Sequence, residues 1–141
     1  MLNEHGKTLG GYTPHSWGGE NVFKNDEFKS SFLFSMDSMC KMPFIGDKSI
    51  YCSPSHGPVF GGDKYFLQLL HHYDLKIGDS CDSKESSEMH YPHAYGEGQW
   101  RGGAKKVGAN ELVGTERGKG FKVVEYEVFH VKQVAEVEPV E

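Results

Sequence analysis

The chain has 141 residues, a formal net charge of −5 and 18 glycines. Its length suits one domain, and its glycine content argues against a coiled coil or a helical bundle, because glycine is a poor helix former. The negative net charge excludes nucleic acid as a partner of the surface as a whole.

Short strands separated by turns are predicted along the first half of the chain. Compact apolar runs at residues 8–12, 31–36 and 48–52 have strand length and are bounded by Gly, Pro, Asn or Asp. Residues 13–30 are polar and are predicted as a long loop. Residues 55–62 have the composition of a turn around two apolar side chains.

The second half of the chain follows the same pattern with longer interruptions. Residues 73–77 alternate as a strand does, whereas residues 78–120 are predicted to be mostly loop. Alternation is clearest at residues 121–131, which predict the strongest strand of the chain. The acidic tail, residues 132–141, is predicted to be disordered. Together these segments indicate a β-rich domain, most simply a sandwich.

Cysteine usage and the apolar runs indicate the cellular setting. The three cysteines form no C-x-x-C pair, which favours reduced thiols in an intracellular protein over a disulfide framework. A cytoplasmic location is expected, with a nuclear or organelle-associated location as the alternative. The N-terminal residues contain no apolar signal-peptide segment. The longest apolar-rich run, residues 65–70, is too short to cross a bilayer, so no direct membrane insertion is expected.

Two chemical hypotheses involve the cysteines and histidines. A sacrificial or redox-active module would use Cys40, Cys52 and Cys81 with the nearby methionines. A metal-binding module would combine Cys81 with His90 and His93, although Pro92 between the two histidines prevents a regular helix that would align them. Histidines in a polar loop are therefore the favoured interpretation, and no metal or other cofactor is predicted.

Catalytic patterns are missing from the sequence, and the basic residues cluster in one region. No nucleophile elbow or paired catalytic motif occurs, so a non-enzymatic protein with no catalytic residues is expected. Residues 101–120 are locally basic, which favours a solvated loop and leaves a loop that docks a protein partner as the alternative. The residues concerned are Arg101, Lys105, Lys106, Arg117 and Lys119.

Four stretches, taken in order, resemble a TLDc domain, the module of the oxidation-resistance protein family. They are residues 6–17, 31–36, 50–77 and 112–129, which together span nearly the whole chain. The residues that carry the resemblance are Gly10, Gly11, Tyr12, Trp17, Phe32, Phe34, Gly57, Pro58, Phe60, Gly61, Gly62, Asp74, Leu75, Glu125, Glu127, Val128 and Phe129.

The resemblance implies a fold and a role. The fold is an α+β, β-rich sandwich of two antiparallel sheets with short peripheral helices. The role is that of a non-enzymatic interaction domain linked to oxidative-stress protection, with a protein partner such as subunits of the vacuolar proton-pumping ATPase. Residues 57–62 would shape a docking loop, while Glu125, Glu127 and Phe129 would anchor the last strand.

The sequence also departs from the family pattern in three places. The TLDc domain of the family begins earlier, so residues 1–131 are expected to form a domain that is incomplete at its N-terminus. Residues 63–72 and 98–111 are expected to be insertions or extended loops.

Overall fold

The computed structural model of the chain describes residues 1–62 and 73–132. Within these residues it is β-rich, with antiparallel strands and one short helix, which confirms the predicted fold class. The first strands are β1 Leu2–Asn3, β2 Leu9–Tyr12, β3 Val22–Lys24, β4 Phe32–Ser35, β5 Cys40–Pro43 and β6 Ile50–Cys52. The later elements are β7 Val59–Phe60, β8 Leu75–Lys76, β9 Glu88–Met89, β10 Gly98–Trp100, β11 Gly103–Lys105, α1 Ala109–Val113 and β12 Val123–Glu125.

Two five-stranded sheets and one two-stranded pair account for all of these strands. The first sheet has the order β11-β10-β5-β4-β2 and the second the order β3-β6-β7-β8-β9, while β1 pairs with β12. Every strand pairing is antiparallel. Antiparallel sheets of this kind can bury one face and leave the other in water.

A single main hydrophobic cluster lies between the two sheets. In the first sheet, Leu33 of β4 stands opposite Met42 of β5, and both are fully buried. In the second sheet, Ile50 and Phe60 are paired across β6 and β7 and belong to the same cluster. Along β4 and β5, buried residues alternate with more exposed ones. This period of two is typical of strands that cover a core with one face.

Two strands of the first half were missed in the sequence prediction. The expected loop at residues 13–30 contains β3, and residues 40–43, for which no element is predicted, form β5. The ring of Phe23 in β3 lies 4.7 Å from that of Tyr51, its partner in β6. Such short strands are stabilised by their cross-strand partners and leave little signal in their own sequence.

The segment of residues 78–120 is mostly loop, as predicted, but the loop is interrupted by regular elements. It contains β9, the hairpin of β10 and β11, and helix α1. The predicted insertion at 98–111 is therefore that hairpin together with the start of α1. The helix buries Leu112 and Val113 and ends at Gly114, whose φ of 78° is left-handed. Burial by the rest of the fold supports a helix too short to be stable alone.

The last predicted strand is much shorter than expected. Phe121 and Val123 are buried, as their shared face predicts, but the strand covers only Val123–Glu125 because its partner β1 has two residues. Residues 126–132 lie outside any strand, and Phe129 is 75% exposed. The anchoring role expected for Glu127 and Phe129 is therefore wrong, and of the three predicted anchors only Glu125 lies in the strand. The motif residue Val128 also lies outside it.

Two expectations fall largely or wholly on residues that the structure does not describe. The predicted insertion at residues 63–72 lies outside the described residues, as does the predicted disordered tail apart from Lys132. The expectation of an incomplete N-terminal part stays a prediction. Among the described residues, no helix is long and apolar enough to cross a membrane.

Candidate functional site

Two motif glycines of β2 lie directly beneath aromatic rings. A Cβ on Gly10 would come within 2.6 Å of the Phe34 ring, and one on Gly11 within 2.5 Å of the Phe60 ring. Real Cβ atoms essentially never approach so closely, so a side chain at either position would force the ring above it to shift. Gly11 belongs to the first sheet and Phe60 to the second, so this contact joins the two sheets.

The Phe60 ring also supports a tryptophan at the surface. Trp17 packs edge-on against Phe60 at a centroid distance of 5.3 Å, and Tyr95 packs against Phe60 at 6.2 Å. The Tyr95 hydroxyl donates to the Ser49 carbonyl oxygen at 2.8 Å. Phe60 and Tyr95 are buried, whereas Trp17 is 41% exposed. Trp17 thus presents part of its ring to solvent on a base of buried aromatic side chains.

Asp74 connects the second sheet to the segment that carries Tyr95. Its carboxylate accepts hydrogen bonds from the backbone N–H groups of His93, Ala94 and Tyr95 at 2.9–3.0 Å. Burial raises the pKa of the Asp74 carboxyl, and the three N–H donors oppose that rise without cancelling it. Gly61, with a φ of +84°, leaves no room for a Cβ beside this carboxylate. Asp74 therefore serves the fold.

The described residues form an open groove of about 400 Å³ next to Trp17. Trp17 contributes to its lining together with the neighbouring glycines, and the end of β6 and the turn that follows it provide the rest. Gly57 is fixed in that turn because its N–H donates to the Ile77 carbonyl oxygen at 2.9 Å. The lining residues are Trp17, Gly18, Gly19, Tyr51, Cys52, Ser53, Pro54, His56, Gly57 and Pro58.

The groove brings together four of the predicted residues, namely Trp17, Gly57 and Pro58 of the family motif and Cys52 of the redox hypothesis. Phe60 supports the groove from inside the fold through its contact with Trp17. The remaining motif residues of the first half serve strand packing, such as Tyr12 and Phe32, whose rings lie 5.3 Å apart. Gly62 lies beneath the Phe23 ring, where a Cβ would be 2.5 Å away, and Leu75 lies in the core.

Sequence reasoning missed the other residues of the groove. Gly18, Gly19 and Pro54 carried a signal, because such residues indicate turns, but they were assigned only to loops. The sequence predicts Tyr51 in a strand and gives no indication that its side chain reaches a groove. The two loops are distant in sequence and meet because β3 pairs with β6, with Val22 opposite Cys52.

The predicted basic loop is divided between two elements. Arg101, Lys105 and Lys106 lie on or next to the β10–β11 hairpin, whereas Arg117 and Lys119 follow helix α1. Lys105 forms an ion pair with Glu111 at 3.4 Å. The Arg117 guanidinium contacts the His93 ring. Arg101, Lys106 and Lys119 are exposed. The basic residues therefore lie apart on two elements and do not form one flexible loop.

The three thiols lie in different surroundings. Cys40 and Cys52 are 5% and 4% exposed, while Cys81 is partly buried against the core. Burial raises the pKa of the Cys40 thiol, and Glu111 adds to this effect against the opposing charge of Lys105. A higher pKa lowers the fraction of reactive thiolate at neutral pH. All three cysteines are free.

The proposed metal ligands are not brought together. The His90 ring lies 3.0 Å from a Glu88 carboxylate oxygen, and the His93 ring contacts Arg117. Across residues 1–62 and 73–132, no group of three His, Cys, Asp or Glu side chains is arranged to hold a metal ion. Cys81, His90 and His93 therefore form no such group.

Comparison with models of known protein families gives a match over most of the chain. The family model of the TLDc domain matches residues 1–132 of the 141 residues. The chain belongs to the TLDc domain family. No curated protein and no solved structure shows a significant match. Membership suggests an oxidative-stress-related protein-interaction role for this TLDc domain, whose motif residues form both the sheet packing and part of the groove.

Proposed function

We propose that this TLDc domain is a non-enzymatic, intracellular interaction domain that supports oxidative-stress protection by binding a protein partner in the Trp17 groove. Subunits of the vacuolar proton-pumping ATPase are the proposed partner. The observation that carries the proposal is the half-exposed Trp17 ring, which packs on the buried Phe60 ring beside an open groove.

Tryptophan is among the side chains that contribute most to protein interfaces when it lies at their centre. The contact with Phe60 restrains the Trp17 ring before any partner arrives, so less conformational entropy is lost on binding. Gly18 and Gly19 add no side-chain bulk beside the ring, and Pro54 and Pro58 stiffen the turn that also lines the groove. The groove is thus open enough to accept side chains of a partner.

The exposed cations are proposed as secondary contacts. Arg101, Lys106 and Lys119 are exposed, whereas Lys105 is paired with Glu111. Charges at the rim of an interface mainly affect the rate of association and its dependence on salt. They would steer an acidic partner surface without fixing its position in the groove.

The proposed function differs from the redox alternative in what it requires of the cysteines. Cys40 and Cys52 are buried, and the raised pKa of Cys40 disfavours its thiolate. Consumption of peroxide by these two thiols would therefore need local opening of the domain. An interaction role needs none of the three thiols and leaves the core intact.

Cell survival under peroxide separates the two functions. Cells that express Trp17→Ala should lose the protection given by the wild type, whereas a variant with all three cysteines changed to serine should keep it. Trp100→Ala is the matched control, because Trp100 is 53% exposed but lies on the β10–β11 hairpin. Protection that survives Trp17→Ala but disappears in the triple cysteine variant would reject the interaction role.

A further inference from the structure

The lining of the Trp17 groove lacks the strongly charged residue types. None of its described residues is Asp, Glu, Lys or Arg, although these types make up 25% of the chain. A charged side chain of a partner would lose its hydration in the groove without meeting a carboxylate, ammonium or guanidinium group, which is costly. The segment that fills the groove is therefore expected to be uncharged.

The indole N–H of Trp17 restricts the kind of segment further. Within residues 1–62 and 73–132 it donates no hydrogen bond, whereas the Tyr51 hydroxyl donates to the side-chain oxygen of Asn21 at 3.0 Å. An indole nitrogen is only a donor, so a partner that covers Trp17 has to supply an acceptor. Without one, the N–H group would be buried unpaired at a cost in affinity.

The two regular elements of a partner match this donor poorly. The end of β6 lines the groove, but β6 is already paired with β3 on one side and β7 on the other, so no partner strand can be added to it. An α-helix uses its carbonyl groups internally, apart from those of its last turn. A polyproline II segment has no internal hydrogen bonds, so all of its carbonyl oxygens are available as acceptors.

We propose that the groove binds a proline-rich segment of the partner in the polyproline II conformation, an inference that rests on the proposed interaction role. Prolyl rings are uncharged, and the prolyl nitrogen carries no N–H that the groove would leave unpaired. Trp17, Tyr51 and His56 contribute aromatic rings to the lining, as in other grooves that recognise such segments. The Trp17 N–H donates to a carbonyl oxygen of the bound segment.

Titration of a decaproline peptide into the full-length chain, followed by isothermal titration calorimetry, tests this inference. Saturable binding is expected, and a Gly-Ser peptide of equal length should not bind, because it lacks the rings and the preformed conformation. Trp17→Phe should weaken binding about three- to tenfold, since it keeps a ring on Phe60 but removes the indole donor. Trp100→Ala is the matched control and should leave the affinity unchanged.

The outcomes separate this inference from the proposed function. Three results would overturn the proline-rich occupant: no saturable binding of decaproline, equal binding of the Gly-Ser peptide, or equal affinities of the wild type and Trp17→Phe. Trp17-dependent binding of the ATPase subunits would still support the proposed function in each of these cases. Conversely, decaproline binding that Trp17→Phe weakens, with no binding of the subunits, would support the proline-rich occupant and contradict the proposed partner.

Discussion

At the scale of single residues, the motif glycines of this TLDc domain are subject to different physical constraints. Gly61 has a left-handed backbone and lies against the Asp74 carboxylate. Gly11 has an ordinary strand backbone, but the Phe60 ring occupies the space where a side chain would be. At Gly61, both the backbone conformation and the lack of space disfavour a side chain. At Gly11, only the lack of space does so.

These constraints predict an order of destabilisation. Gly61→Ala should lower the free energy of unfolding by about 2–4 kcal/mol, since a left-handed alanine costs 1–2 kcal/mol and overpacking adds to it. Gly11→Ala should cost about 1–3 kcal/mol through overpacking alone. Gly108→Ala is the control, because no atom lies within 4 Å of a Cβ there. Urea unfolding measures all three, and equal stability of the Gly61 and Gly108 variants would contradict the packing argument.

The burial of the thiols predicts their order of reaction. In the native state a thiol reagent should modify Cys81 first, because Cys40 and Cys52 are almost inaccessible. Mass spectrometry of peptides after timed labelling gives the rate at each site. In urea the three rates should converge. Native labelling of Cys40 as fast as that of Cys81 would show that the core opens more readily than its packing indicates.

The sequence shows which glycines belong to the motif better than it shows what each of them contacts. The sequence predicts that Gly57, Gly61 and Gly62 shape a turn and places Gly10 and Gly11 in a strand, which is β2, but it gives no reason for glycine at those two strand positions. Their role depends on which ring crosses above them, and that follows only from the pairing of strands distant in sequence. Asp74 likewise has no sequence signal for its three backbone donors.

At the scale of elements, the start of β4 is held by a carboxylate. Asp26 accepts hydrogen bonds from the backbone N–H of Ser31 at 2.6 Å and from the hydroxyls of Ser31 and Ser30. Burial would raise the pKa of Asp26, but these hydrogen bonds outweigh it and lower the pKa below its usual value. The ionised form is therefore favoured in the folded state.

This shift predicts a pH dependence with a definite sign. A carboxyl whose pKa is lowered by folding stabilises the protein above its unfolded pKa, near about 4, and this contribution is lost as the pH falls through the lower folded pKa. Asp26→Asn should therefore reduce stability at pH 6 and flatten the acid limb of the profile. Unfolding in urea between about pH 2.5 and 6 measures it. Asp47→Asn, at an exposed position, is the matched control.

Strands with compact apolar runs could be predicted, whereas strands that depend on their partners could not. The runs at β2, β4 and β6 were found because their own side chains enter the core. The β10–β11 hairpin contains glycines and exposed residues, so its sequence resembles a loop. The last strand is shorter than its sequence predicts. Its strand-like sequence continues past residue 125, but β1 provides no hydrogen-bonding groups there.

At the scale of the whole molecule, the side chain of Phe60 takes part in both the packing of the two sheets and the support of the groove. Phe60 occupies the space above Gly11 on one side and supports Trp17 on another. A weakened sheet contact should therefore also disturb the groove. The sequence pattern was sufficient to predict a β-rich sandwich, but the groove requires residues 17–19 and 51–58 to meet, which no local pattern predicts.

Binding of purified chain to purified subunits of the vacuolar proton-pumping ATPase, measured by isothermal titration calorimetry, tests the central claim most directly. We expect a saturable interaction that Trp17→Ala weakens at least about tenfold, as for a central interface tryptophan, and that Trp100→Ala leaves unchanged. Absence of binding by the wild-type chain would contradict the proposed partner. Equal affinities of the wild type and Trp17→Ala would contradict the groove as the binding site.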